Sequence, residues 1–360
     1  MKKIMEANLP QITTIITTYQ RPKMLRRAIL SVLNQTHPYL HACVYDNASG
    51  DGTKEVVLSL AKQDNRVKYF CHSENIGGLA NLEYGMSQVQ TPFFSILSDD
   101  DFLLPNFYED AMTNMENYPE AVFCAGSTIV ANENAEIIAL TLTDWQDGII
   151  YPPEGLLYMW EKGHPTWTTI LFRSKVLKMW TPNYDVKAHL DAHFEMQIAK
   201  SYPFYIFKKP CGVFVFHPNS YSTNMNLYND VLCGWRIVME YFIRDKDLSE
   251  ETNKRIYHAW ETNMKRYLLG YMGERLFKKE PVKAVEAAML YRQEFGSSSL
   301  LSILLFIARL GEYSVFCKWA ASTLFEIRKR IKVFHTKKLL HKQYKLSPKY
   351  IKKLFYNNNK

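Results

Sequence analysis

Six cysteines lie scattered through the 360 residues with no C-x-x-C pair, so neither a zinc site nor a disulfide framework is indicated. Reduced thiols of this kind fit a cytoplasmic protein. Long apolar runs are missing as well. Met1–Pro10 has no stretch long enough for a signal peptide. Residues 300–325 are interrupted by Arg309, Glu312 and Lys318 and read as non-spanning, since a transmembrane helix needs about 20 consecutive apolar residues. The first strand-like run is followed by Thr17-Thr18-Tyr19-Gln20-Arg21-Pro22, with no G-x-G-x-x-G, and a Walker sequence is absent too. These two absences exclude a dinucleotide fold of Rossmann type and a P-loop. Acid is lacking from residues 327–360, which carry 12 Lys and Arg of the chain's 44. The other 326 residues hold 32 basic against 36 acidic side chains, so the net charge of +8 resolves into −4 and +12. The basic balance belongs to the tail and does not make the whole chain a nucleic-acid binder.

What the sequence does contain is apolar and aromatic material, 47% and 14% of residues, enough for a substantial core. Short β-rich runs at Gln11–Thr18, Ala42–Tyr45, Val67–Phe70 and Phe93–Leu97 alternate with helical spacing at Pro22–Asn34, Thr53–Lys62 and Leu79–Val89. That alternation predicts an α/β fold with a mainly parallel sheet. Polar clusters fall where the strands end, and in open α/β sheets ligands bind outside those ends. A mixed pattern follows to about Pro218. After Tyr221 only helices are predicted, with capping chemistry at Ser249-Glu250-Glu251-Thr252 and a break at Gly296–Ser299.

Three consecutive aspartates, Asp99, Asp100 and Asp101, follow the fourth strand-like run. Carboxylates that close repel one another unless a cation or strong donors sit among them. A hard divalent ion, Mg²⁺ or Mn²⁺, held by few carboxylates would leave room for substrate phosphates. Acids ahead of the helix-like Pro105–Met115 would also suit a helix N-terminus, and the residues alone leave both readings open. Asp46 precedes the turn-forming Asn47–Thr53 and could accept from a base N–H or a ribose hydroxyl. Ser49–Thr53 is equally good turn and N-cap chemistry.

It is the ordered set that is specific. Ile15–Pro22, Leu30–Thr36, Asp46–Thr53, Asn75–Asn81 and Ser98–Asp101 together resemble the family 2 glycosyltransferases, nucleotide-sugar-dependent enzymes of the GT-A fold. The resemblance runs from Ile12 to about Ser222. It implies that Thr17, Tyr19 and Arg21 line a nucleotide pocket, that Asp46 contacts the base, and that Asn75, Gly77 and Asn81 form the other wall. The aspartates match the family's D-x-D motif with Ser98 in place of its first acid, which makes Asp100 the expected metal ligand, Asp99 a sugar or ribose contact and Asp101 a further ligand. The catalytic base expected about 90 residues later corresponds to Asp191, in His189-Leu190-Asp191-Ala192; from the residues alone it could equally be an exposed helix acid. His217 stands where relatives carry a histidine near the metal or diphosphate, and Trp167 and Arg173 fall in the acceptor region.

The implied activity is inverting, hexosyl-type transfer from a nucleotide-sugar, with a UDP-sugar the expected donor, to a hydroxyl of a glycan or lipid-linked acceptor in surface polysaccharide synthesis. The cofactor would be Mn²⁺ or Mg²⁺. A nucleotidyltransferase would want a Gly-rich basic loop where Thr17–Pro22 stands. A non-catalytic nucleotide-sugar or glycan-binding protein on a degenerate transferase core is the competing reading. The expected division is a catalytic domain at 1–222, a helical region at 223–326 and a basic amphipathic tail at 327–360, whose aliphatic and aromatic residues interleave with lysines. That composition favours an anionic membrane surface, with RNA binding and a merely solvated tail as the alternatives. The protein is then expected to lie in the cytoplasm, peripheral on the inner face of the membrane.

Overall fold

Ile12–Thr18 is β-branched throughout, and it becomes strand β1, buried along nearly its whole length at the middle of a ten-stranded sheet. The computed structural model describes residues 11–218, 220, 225–278, 280–297, 299, 301–302 and 315–357. Met1–Pro10 and, within the apolar stretch 300–325, residues 300 and 303–314 lie outside the described residues.

After β1 come α1 (Pro22–Leu33), β2 (Leu40–Asp46), α2 (Thr53–Gln63), β3 (Val67–Cys71), α3 (Gly78–Ser87) and β4 (Phe93–Ser98). β1, β2, β3 and β4 are parallel and lie in the order β3-β2-β1-β4. The chain then adds β5 (Phe102–Leu103), α4 (Phe107–Asn117), β6 (Phe123–Asn132), β7 (Ile137–Leu140), β8 (Gly148–Ile150), α5 (Glu154–Lys162), β9 (Ile170–Arg173), α6 (Leu190–Ala199) and β10 (Phe204–Phe216). The sheet continues through β9, β6, β10 and β5, with β7 on β6 and β8 on β10. Parallel pairing in this half is confined to β6 with β10; β9 runs antiparallel to both β4 and β6. The sheet is therefore mixed. β10 runs through Pro210 as one strand, because irregular pairing on either side of the proline absorbs the interruption.

Among the described residues, the helices that follow include α7 (Cys233–Ile243), α8 (Glu250–Phe277), α9 (Pro281–Phe295), α10 (Val315–Tyr344) and α11 (Pro348–Asn357). Ser249 caps α8, its hydroxyl accepting from the Thr252 amide, and Gly296 ends α9 at φ 77°.

Two compact units result: residues 1–182, 194–218 and 336–360 in one, 183–193 and 219–335 in the other. The expected division at 222 and 326 differs from this. The reason is that the end of the chain is used to build the first unit. Leu340, Ile351 and Phe355 are buried in a cluster with Phe102, Leu104, Ile129, Val213 and Val215. The larger core of that unit packs α1, α2 and α4 on the sheet through Leu25, Ile29, Val32, Val57 and Phe107.

Candidate active site

β1 and β4 are parallel neighbours, yet the chain leaves them on opposite sides, so their carboxyl ends open at a switch of strand order. Thr18 ends β1 and donates its hydroxyl to Asp99 Oδ2 at 2.7 Å. Arg21, just ahead of α1, places Nη1 3.1 Å from Asp99 Oδ1 and 3.0 Å from Asp100 Oδ2. His217, immediately after β10, brings Nε2 to 2.9 Å from the same Asp100 oxygen. The last residues of three strands thus meet at one carboxylate pair.

Asp101 faces elsewhere. Its Oδ1 accepts from the Val215 amide at 2.9 Å and its Oδ2 from the Thr168 hydroxyl at 2.5 Å, fastening the acidic loop to β10. Burial, then the charge of Asp100, drives its pKa well above the usual carboxylate range against those two bonds. Burial and Asp100 likewise raise Asp99, to about 6, while Arg21 opposes the shift. Beneath the loop lies Arg27, donating Nη2 to the Asp100 carbonyl. Burial lowers it to about 10, and the charges of Asp101 and Asp100 pull the other way.

A second polar group is organised around Asp46, which is 1% exposed at the end of β2. Its Oδ1 accepts from the Ser49 amide (2.9 Å) and hydroxyl (2.6 Å), its Oδ2 from the Tyr69 phenol (2.7 Å). Asn47 ties this turn to the next loop: its Nδ2 donates to Asn75 Oδ1 at 2.8 Å, and its Oδ1 accepts from the Ile76 amide at 2.9 Å. Gly77, at φ 88°, makes a turn that a side chain would strain, and leads into α3. Asn81 is buried, donating to the Tyr45 carbonyl and meeting His72 Nε2 at 3.0 Å. Thr17 is half-buried within β1, and Tyr19 stands exposed at its end.

Of the acceptor candidates, Trp167 is half-buried, edge-on to Phe194 with ring centroids 5.8 Å apart. Arg173 does not join the site. It is in register with Phe93, at the other end of β4 from the aspartates, and its guanidinium donates to the carbonyls of Ala121 and Met115. Asp191 lies in the first turn of α6, half-buried, with Oδ1 accepting from the Ala192 amide at 2.8 Å. It belongs to the second unit, where Gly234 of α7 lets the preceding turn, Tyr184–His189, pack closely and His189 stacks on Trp235 at 4.4 Å.

Sequence reasoning missed Thr18, Arg27, Tyr69 and Thr168. Arg27 had a signal: it interrupts the apolar face formed by Leu25, Ala28, Ile29 and Val32. A charge there must find a buried partner. Among the described residues, no group of three or more His, Cys, Asp or Glu is arranged to hold a metal ion. Among the described residues of the site, Asp100 and His217 supply a carboxylate oxygen and an imidazole nitrogen of the kind a divalent ion takes, here hydrogen-bonded to each other at 2.9 Å.

Residues 13–180 match the family described as Glycosyl transferase family 2. A Campylobacter jejuni protein, GalNAc(5)-diNAcBac-PP-undecaprenol beta-1,3-glucosyltransferase, is 38% identical over 97 residues, which are 27% of this chain and 31% of that one. The match thus spans about a third of that relative's length. Among solved structures, S. aureus TarS residues 1–349 with UDP-GlcNAc aligns at a TM-score of 0.59 and 14% identity, covering 89% of this chain and 92% of that chain. Mannosyltransferase PcManGT from Pyrobaculum calidifontis, bound to GDP-Man and Mn²⁺, aligns at 0.51 and 16% identity, over 91% and 87%. Residues 13–180 are thus similar to the family 2 glycosyltransferases, and the fold is the GT-A fold of these solved structures.

Proposed function

We propose that this protein transfers a sugar, with inversion, from a nucleotide-sugar to a hydroxyl of a glycan or lipid-linked acceptor in surface polysaccharide synthesis. The observation that carries this reading is the convergence of Thr18, Arg21 and His217 on Asp99 and Asp100 where β1, β4 and β10 end. UDP-sugars are the first donors to test, since the TarS structure holds one. The lipid-linked acceptor is supported by the similarity to the Campylobacter undecaprenol-linked glucosyltransferase.

Asp100 and His217 would hold Mn²⁺ or Mg²⁺, which supplies Lewis-acid neutralisation of the departing diphosphate. Asp101 stands behind them, bonded to Thr168 and Val215, and keeps the loop in place. Arg21 is a fixed cation beside the same carboxylates, suited to the diphosphate's charge. Asp46, Asn75, Gly77 and Asn81 shape the base pocket, Thr17 and Tyr19 its edge, and Asp99 meets a ribose or sugar hydroxyl. Trp167 offers a ring for the acceptor to stack on. Asp191 takes the proton of the attacking hydroxyl as the glycosidic bond forms and the bond to the diphosphate breaks.

The basic C-terminal helices support peripheral attachment to an anionic membrane through charge. No helix among the described residues is long and apolar enough to cross a membrane.

The test is a panel of UDP-, GDP- and dTDP-sugars with Mn²⁺ or Mg²⁺, assayed for transfer and for slow hydrolysis. Metal-dependent turnover of one donor is expected. Nucleotide binding with complete silence across the panel would make the protein a binding module on a transferase core.

A further inference from the structure

The basic end of the chain forms part of the floor beneath the acidic loop. α11 inserts Ile351 and Phe355 among Phe102, Leu104, Val213 and Val215, the residues that flank the loop and lead along β10 toward His217. At the centre of this contact is Arg27. Its guanidinium carbon lies 4.3 Å from the Phe355 ring centroid and 5.0 Å from that of Phe102. Nη2 donates to the Asp100 carbonyl, while the buried Nε has no hydrogen-bond partner among the described residues. A buried guanidinium with an unanswered N–H is costly, and the faces of two aromatic rings offset part of that cost.

We propose that Phe355 is a positioning residue for the metal- and diphosphate-binding loop and acts through Arg27. The ring confines the guanidinium, the guanidinium confines the Asp100 backbone, and the backbone aims the carboxylate that meets Arg21 and His217. Only the loop's task, not this chain of contacts, rests on the glycosyl-transfer reading. A simple apolar anchor would need any large hydrophobic side chain at position 355. A cation–ring contact needs an aromatic one.

The loop carries its own reporters. The amides of Asp101, Leu103 and Leu104 donate to the Ser98 carbonyl, the Ser31 hydroxyl and the Cys211 carbonyl. Hydrogen exchange of residues 98–104 in the full-length protein therefore reads the loop's order without any catalytic assay. In Phe355→Leu, we expect exchange there to quicken roughly tenfold, the scale of one lost cation–ring contact. Mn²⁺-dependent binding of UDP should weaken comparably. Phe355→Tyr, which keeps the ring, should restore both. Arg27→Lys, which keeps the charge but loses the planar fork, should loosen the same amides and serves as the second variant if Phe355→Leu does not fold. Unchanged exchange at 98–104 in folded Phe355→Leu or Arg27→Lys would overturn the proposal. If the wild-type protein binds no nucleotide, the functional reading fails, and the exchange comparison still decides the role of Phe355.

Discussion

At the scale of single residues, the three aspartates that look equivalent in the sequence have three occupations. Asp99 accepts from Thr18 and Arg21, Asp100 from Arg21 and His217, and Asp101 from Thr168 and the Val215 amide. Asp101→Ala leaves the latter two donors buried without an acceptor, at about 1–3 kcal/mol each, and urea unfolding should show the loss. Asp101→Asn retains an acceptor for Val215, and the Thr168 hydroxyl can turn to accept from the amide, so most of the stability and donor affinity should survive. Asp100→Asn should instead weaken metal-dependent nucleotide binding at nearly unchanged stability. If Asp101→Asn loses metal dependence to the same extent, Asp101 is a ligand and not a support. At the proposed base, Asp191→Asn should cut kcat about a hundredfold or more while leaving the donor's dissociation constant near that of wild type. Near-normal turnover would remove Asp191 from the mechanism. The acidic run was legible because carboxylates at a strand end call for a cation or donors. The division of labour within it was not, because it depends on β10 and on Thr168, both remote in sequence.

At the scale of elements, α7 and the turn before α6 set where Asp191 begins its helix. A Cβ at Gly234 would stand 2.6 Å from the His189 ring and 3.0 Å from the Val186 carbonyl, both within that turn. Gly234→Ala should therefore shift the start of α6 and lower kcat more than it raises the KM for donor. A variant that loses thermal stability at unchanged kcat would show that the turn does not transmit to the base. His193, also at the start of α6, is fully buried against Tyr241 and Phe242, and burial pushes its pKa from 6.5 down to about 4. The unfolded chain takes up this proton first as pH falls. Stability present above pH 6.5 is thus lost progressively toward about pH 4. Urea midpoints of His193→Phe and wild type should differ in slope across that interval, and identical slopes would mean that His193 does not titrate on unfolding. Alternation and apolar spacing in the first hundred residues made β1, β2, β3, β4 and the helices between them readable. β5, β7 and β8 are short segments fixed by their neighbours in the sheet, and no local pattern announces them.

At the scale of the whole molecule, the excess charge has a definite placement. The tail's apolar residues Leu340, Ile351 and Phe355 are buried, whereas Lys337, Lys338, Lys342, Lys345, Lys349, Lys352 and Lys353 are all exposed. An amphipathic tail was legible in the sequence. What the sequence could not show was that Leu340, Ile351 and Phe355 are already packed against Phe102, Val213 and Val215, while Ile331 and Phe334 stay exposed. Membrane attachment by inserting Leu340, Ile351 and Phe355 would require taking the first unit apart, whereas adsorption through the exposed lysines, together with the exposed Ile331 and Phe334, leaves that cluster intact. Such attachment falls steeply with salt and is worth about 1 kcal/mol for each lysine near an anionic surface. Replacing Lys338, Lys342, Lys345 and Lys349 with Gln should then reduce co-sedimentation with phosphatidylglycerol vesicles by roughly two to three orders of magnitude in partition coefficient. Transfer to a soluble acceptor should persist. Binding that resists high salt, or that is unchanged by the four substitutions, would place the attachment elsewhere in the molecule. Deleting the tail would not make this distinction, because removing Ile351 and Phe355 opens the floor of the active site at the same time.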